Sequence, residues 1–244
     1  MKVELLTHTP DGEKVIAAAA KLCYSKIGVD DILDGLTPEK CENFIKMLMS
    51  LGHESPVEHT TFTFAIEGVS RTLLAQLTRH RMASYSVQSQ RYVDKENFEY
   101  IMPPAIENIP EAKELFIKAM ENDRETYQKL NDILTNEYKN NGKEEDKAKK
   151  MAQEDARYVL SNACDTRIIM TMNVRSLYNF FSLRCCNRAQ WEIRELACEM
   201  LRLCKEVSPI LFAAAGPACV RGGCSEGVMT CGSAKEIREK FKNM

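Results

Sequence analysis

Nowhere in the 244 residues is there a run approaching the roughly eighteen consecutive apolar side chains of a membrane-spanning helix. The opening stretch, MKVELLTHTPDGEK, lacks the apolar core of a signal peptide. Both absences point to a cytoplasmic protein with no membrane partner. In that reducing compartment the ten cysteines are expected as thiols or metal ligands rather than structural disulfides. A surplus of basic charge is missing as well: the formal net charge is -2, whereas general nucleic-acid binders are strongly basic. No nucleic-acid partner is expected. No internal repeat or low-complexity linker interrupts the chain, so residues 1–244 are expected to fold as one domain ending in a Cys/Gly-rich tail, 216–244.

Several catalytic signatures are absent too. Neither G-x-G-x-x-G nor a P-loop occurs, so a nucleotide would have to be held by side chains and helix ends. There is no G-x-S-x-G elbow, and Ser89 has no partner base at a fixed spacing. GHESPVEH, residues 52–59, has two histidines and two carboxylates without the H-E-x-x-H spacing of a zinc helix. It reads as a capped turn, Ser55-Pro56-Val57-Glu58, in a polar loop beside a ligand.

Acids are missing from one stretch and scarce in another. None lies between Glu67 and Asp94, a span holding RHRMASYSVQSQRY with Arg79, His80, Arg81 and Arg91. From Arg157 to Glu192 the arginines 157, 167, 175, 184 and 188 accompany only Asp165. A solvated face normally mixes both signs. The guanidinium fork suits phosphate, giving two parallel charge-assisted hydrogen bonds. Two such segments suggest a folded pocket for a ligand with several phosphates. Ser89 can donate to phosphate alongside Arg91. A nucleotide- or RNA-binding module could use the same arginines, but only Tyr85 and Tyr92 supply stacking surface in the first segment.

Periodicity predicts helices over 11–23 and 37–52, the second capped by Thr37 and stopped by Gly52. HTTFTFAIEGV alternates as a strand with Phe62, Phe64 and Ile66 on one face. SRTLLAQLTRHR predicts a helix capped by Ser70, burying Leu73, Leu74 and Leu77 and showing Thr72, Gln76, Arg79 and His80 on a polar stripe. About thirty charged helical residues begin at Glu111, with a turn at 140–146 before another helix. TRIIMTMNV alternates as a strand, and RSLYNFFSLRCC follows as a helix. Asn187 and Gln190 have capping-box spacing for a last helix, which carries Ile193, Ala197, Met200, Cys204 and Val207 on one stripe and ends at Pro209. The class is α+β: long helices around a small, mostly antiparallel sheet.

Arg79-His80-Arg81, seven residues, then Ser89-Gln90-Arg91-Tyr92 resembles the signature of flavin-dependent thymidylate synthases. GHESPVEH upstream, and NVRSLYN and LR followed by AQWEIR downstream, are similar to other stretches of that family. The resemblance implies synthesis of dTMP from dUMP, with methylenetetrahydrofolate as carbon donor, reduced FAD as hydride donor and NADPH as reductant. It also implies a homotetramer with FAD where subunits meet. It assigns His53, Ser55, Arg79, His80, Arg81, Val87, Asn173, Arg175 and Asn179 to FAD. Gln76, Arg79, Gln88, Ser89, Gln90, Arg91, Arg157 and Arg184 go to dUMP. Arg184 is the catalytic candidate, a fixed guanidinium beside the uracil N3 and O2. Val87 departs from the family, which often has Glu there; Gln88, Ser86 or a backbone carbonyl is expected to supply the missing acceptor.

The tail, PACVRGGCSEGVMTCG, brings Cys219, Cys224 and Cys231 close in sequence, and Cys185-Cys186 is a further pair beside Arg184. Three tail thiolates and one of that pair would make a tetrahedral four-sulfur set suited to zinc. The spacing is not that of a C-x-x-C knuckle. Redox-sensitive or packed free thiols are the other readings.

Overall fold

The computed structural model describes residues 1–93 and 98–244. They form two compact units, one of Met1–Ile66, Gln76–Tyr85 and Ile169–Met244, the other of Glu67–Ala75 and Ser86–Ile168. The chain passes between them four times, so neither is a contiguous segment. The class is α+β, with helices dominating a small antiparallel sheet.

The sheet strands are β1 (Lys2–His8), β2 (Thr61–Ser70), β3 (Ser84–Val87) and β4 (Asp165–Asn173), ordered β1-β2-β4-β3. On β2 the alternation buries Phe62, Phe64 and Ile66, and on β4 it buries Ile168, Met170 and Met172. The hydroxyls of Thr63 and Thr171 meet at 2.9 Å, fixing the register of these two strands on the opposite face. β1 and β3 have no clear alternation of their own in the sequence; pairing with neighbours makes them strands.

In the first unit, α1 (Gly12–Leu22) buries Ile16, Ala17 and Ala20. After it come the short α2 (Val29–Asp34) and α3 (Pro38–Leu51). Thr37 caps α3 by accepting from the Lys40 amide at 3.4 Å, and Gly52 ends it with φ +71°, a conformation that favours glycine. α4 (Arg71–Leu77), most of which belongs to the second unit, opens where the Ser70 hydroxyl accepts from the Leu73 amide at 3.0 Å. It was expected to run to Arg81 but stops at Leu77. The Tyr85 hydroxyl lies 2.9 Å from the Leu77 carbonyl and 2.8 Å from the His80 carbonyl, and this fastening turns residues 78–81 out of the helix. Leu73 and Leu77 are buried as expected, whereas Leu74 is only half-buried.

In the second unit, α5 (Pro104–Glu107), α6 (Pro110–Asn140) and α7 (Glu145–Ala156) follow, the last two packed as a hairpin. Its apolar centre includes Phe98, Met120 and Cys164.

Back in the first unit are α8 (Val174–Arg184) and α9 (Trp191–Val207). Gln190, not Asn187, caps α9: its Oε1 accepts from the Glu192 and Ile193 amides at 3.0 and 3.2 Å. Asn187 sits in a preceding turn and accepts from Arg194 instead. The α9 stripe is buried as expected except Val207, which is exposed at the helix end. Pro209 does not simply stop the chain but starts α10 (Pro209–Phe212). Here Phe212 touches Phe62, Tyr178 and Phe181 at centroid distances of 5.3–6.0 Å. The tail adds α11 (Ala218–Arg221) and α12 (Ala234–Lys242), which buries Ile237 and Phe241. Among the described residues no helix is long and apolar enough to cross a membrane.

Candidate active site

An arginine-lined cavity of about 510 Å³ lies in the first unit. Its walls are the turn after α4, the start and end of α8, and the turn at Pro56–His59. They bring together Arg79, His80, Arg81, Asn173, Arg175, Asn179 and Arg184, which come from three separate motifs. Glu58, from the loop expected beside a ligand, also lines it, as do Met82, Ser176 and Leu183, which were not singled out from sequence.

Each of these side chains has a local reason for its place. The Tyr85 hydroxyl holds the 78–81 turn, and burial pushes its pKa up to about 12, so at neutral pH it stays a donor. His80 stands edge-on to Phe180 at 4.9 Å and accepts a 3.0 Å hydrogen bond at Nε2 from Arg184 Nε. Burial, and secondarily the Arg184 cation, lower its pKa to about 4. The imidazole is therefore neutral and carries its proton on Nδ1. Arg184 is the last residue of α8; burial and then the nearby Arg79 lower its pKa, yet guanidinium remains cationic at neutral pH.

Asn173 caps α8, its Oδ1 accepting from the Ser176 amide at 2.8 Å, which leaves the side-chain N–H groups uncommitted by the cap. This helix N-terminus adds its partial positive charge to that of the arginines. Arg175 forms ion pairs with Glu58 and, at 3.5 Å, with Glu54. Glu54 precedes the 3₁₀ turn at Pro56–His59 and Glu58 lies within it; Ser55 precedes that turn without capping it by its side chain, contrary to expectation. His53 and Ser55 are exposed and do not line the cavity.

An adjoining cavity of about 400 Å³ shares Arg175 and Asn179 and adds Tyr178 and Arg221. The Arg221 guanidinium lies over the Tyr178 ring at 4.2 Å. Sequence reading missed this pair, because nothing near Arg221 is unusually basic.

The second unit holds a separate group. Arg91 donates to the Glu154 carboxylate at 2.7 Å, and Arg157 Nε donates to the Glu154 carbonyl at 3.1 Å. Among the described residues, the buried Arg91 Nε has no hydrogen-bond partner. Ser89 Oγ accepts from the Arg91 amide at 3.1 Å, which leaves its O–H to donate. Gln90 is buried, with Nε2 3.7 Å from Cys164 Sγ. Gln88 pairs its amide with the Arg167 carbonyl at 2.9 Å, and Val87 ends β3 half-buried. Arg71 is electrostatically coupled to Arg157 and its pKa is lowered, mainly by burial. It lies in the acid-free stretch, and that signal could have found it. Gln76, on α4, belongs to the first unit and its carbonyl accepts from the Arg79 amide at 3.4 Å.

Clustered guanidiniums, a neutral histidine and a helix N-terminus in an α+β fold make a site whose chemistry suits anionic groups such as phosphate. Residues 4–210 match the family described as thymidylate synthase complementing protein. A flavin-dependent thymidylate synthase of Clostridium tetani is 55% identical over 99% of this chain and 97% of its own length. That of Geobacter sulfurreducens is 47% identical over 100% and 99%, and that of Pyrococcus furiosus 37% over 100% and 98%. The chain belongs to the flavin-dependent thymidylate synthase family.

Proposed function

We infer that this chain is an enzyme that methylates dUMP to dTMP with FAD, using methylenetetrahydrofolate as carbon donor and NADPH to reduce the flavin. The observation that carries the reading is the meeting, in one cavity, of Arg79, His80, Arg81, Asn173, Arg175, Asn179 and Arg184. When bound, the reduced flavin supplies a hydride.

The donor set fits such a cofactor: guanidiniums and a capped helix N-terminus suit a diphosphate, and adjoining cavities suit a two-part ligand. His53, Ser55 and the backbone of Val87 complete the FAD assignment by resemblance. For dUMP, Arg91 with Ser89 takes the phosphate, supported by the buried Arg91 Nε. Gln76, Arg79, Gln88, Gln90 and Arg157 are assigned to dUMP by resemblance alone. Arg184 stabilises negative charge that develops on the uracil carbonyls as C6 accepts hydride. Its hydrogen bond to neutral His80 fixes its direction, so little reorganisation is needed during reaction. Gln88 or Ser86 supplies the acceptor that Val87 lacks.

Residues 1–244 act as one catalytic domain in a cytoplasmic homotetramer. The exposed Leu115, Ile133 and Tyr158 offer apolar surface for subunit contact. A binding module without catalysis is not favoured, since relatives that bear the enzyme's name match along the whole chain.

An anaerobic assay with dUMP, methylenetetrahydrofolate and NADPH, reading dTMP, tests the reading. Purified protein should be yellow, absorbing near ~450 nm. Colourless protein that forms no dTMP after FAD is added would overturn it.

A further inference from the structure

Four cysteines from separate stretches of the first unit line one small cavity. Cys186 follows α8, Cys219 lies in α11, and Cys224 and Cys231 lie in the loop between α11 and α12. The space among them is about 10 Å³, room for a single water or monatomic ion. Cys186, Cys224 and Cys231 are also the thiols close enough to act electrostatically on Cys219. All ten cysteines are free of disulfides.

The loop has little else to hold it. From Gly222 to Gly232 every residue is exposed except Glu226, and Val228 is 99% exposed. Gly227 and Gly232 curl the backbone with φ of +51° and +77°. Arg238 fastens only the start, donating to the Cys219 carbonyl at 2.7 Å and the Gly222 carbonyl at 2.9 Å. A loop that buries no apolar side chain gains nothing from the hydrophobic effect to offset the entropy of ordering it. Segments of this kind are held by cross-links or metals. The cysteine spacing of the tail, four and then six intervening residues, is that of a staple across a loop rather than a tight knuckle.

We propose that Cys186, Cys219, Cys224 and Cys231 bind one Zn²⁺ as a structural tetrathiolate that fastens the tail to the end of α8. Four sulfur ligands in a closed tetrahedral set suit structural zinc. Binding releases four thiol protons and leaves a site of net charge -2. Arg238, already bonded to the Cys219 backbone, is the cation beside it. Among the described residues no three such side chains are set as a metal cage. Binding therefore draws the exposed Cys224 and Cys231 inward. Gly222, Gly223, Gly227 and Gly232 have open space around them and can absorb the movement. Cys186 lies two residues beyond Arg184, so the metal would also steady the end of the helix that presents it.

The test is metal analysis of untagged protein purified without chelator. The expected result is about one zinc per chain. The double variant Cys224→Ser/Cys231→Ser should retain less than about a fifth of it, because a two-thiol remnant no longer closes a tetrahedral site. Both residues are exposed, so the core should survive, and an unchanged circular dichroism spectrum checks that. Trypsin should cut the parent after Arg221 faster once zinc is stripped by a chelator. Zinc below about 0.2 per chain in the parent, iron in its place, a disulfide among the four, or undiminished zinc in the double variant would each overturn the proposal.

Discussion

Arg184 Nε donates a 3.0 Å hydrogen bond to His80 Nε2, joining the end of α8 to the turn after α4. The bond needs an unprotonated acceptor, and the folded His80 supplies one down to about pH 4. An unfolded histidine titrates near 6.5. Stability from this group is therefore present above about pH 6.5. It is lost as pH falls toward 4, because the unfolded chain takes up a proton that the folded one resists. An NMR titration of His80 should show the low pKa. In Arg184→Ala it should rise but stay below 6.5, since burial is the larger cause. A His80 pKa of 6.5 or above in the parent would contradict the hydrogen bond.

Arg184→Ala should also leave FAD bound while dTMP formation falls by about 10²–10³, the usual loss for one preorganised charge donor. Single-turnover kinetics with preloaded flavin separate this from weaker binding. Activity within about twofold of the parent would remove Arg184 from the chemistry.

Arg91→Ala should weaken dUMP binding by about one to two orders of magnitude, since a charge-assisted contact is worth about 1.5–3 kcal/mol. The flavin spectrum should hardly change. Glu154→Gln keeps an acceptor for Arg91 but removes its counter-charge, so dUMP should bind at least as tightly as to the parent. Calorimetric titration decides both; unchanged affinity in Arg91→Ala would take that residue out of the site.

Phe212→Ala should cost about 3–5 kcal/mol, measured by denaturant unfolding, because the ring is fully buried and touches three other aromatic rings. A loss below about 1 kcal/mol would mean that neighbours collapse into the space.

Much of the fold was legible because it is periodic. β2, β4 and α9 advertise a buried face through spacing alone, and Thr37, Ser70 and Gly52 mark ends through local chemistry. β1, β3 and α12 were not seen; they are held by pairing and docking rather than by a strong pattern of their own. The early end of α4 was also out of reach, since it depends on Tyr85 reaching back to two carbonyls.

What the sequence determined by itself was the family, through ordered motifs; its arginines with few acids among them raised the expectation of a phosphorylated ligand. What only the tertiary structure decided was which charges are spoken for. Arg175 is already paired with Glu54 and Glu58, and Arg91 with Glu154, whereas Arg184 faces a neutral histidine. The physical reason is that charge is a property of composition, whereas pairing and desolvation depend on distances across the fold. Arg175 and Glu58 lie more than a hundred residues apart along the chain, and no local spacing announces that they meet.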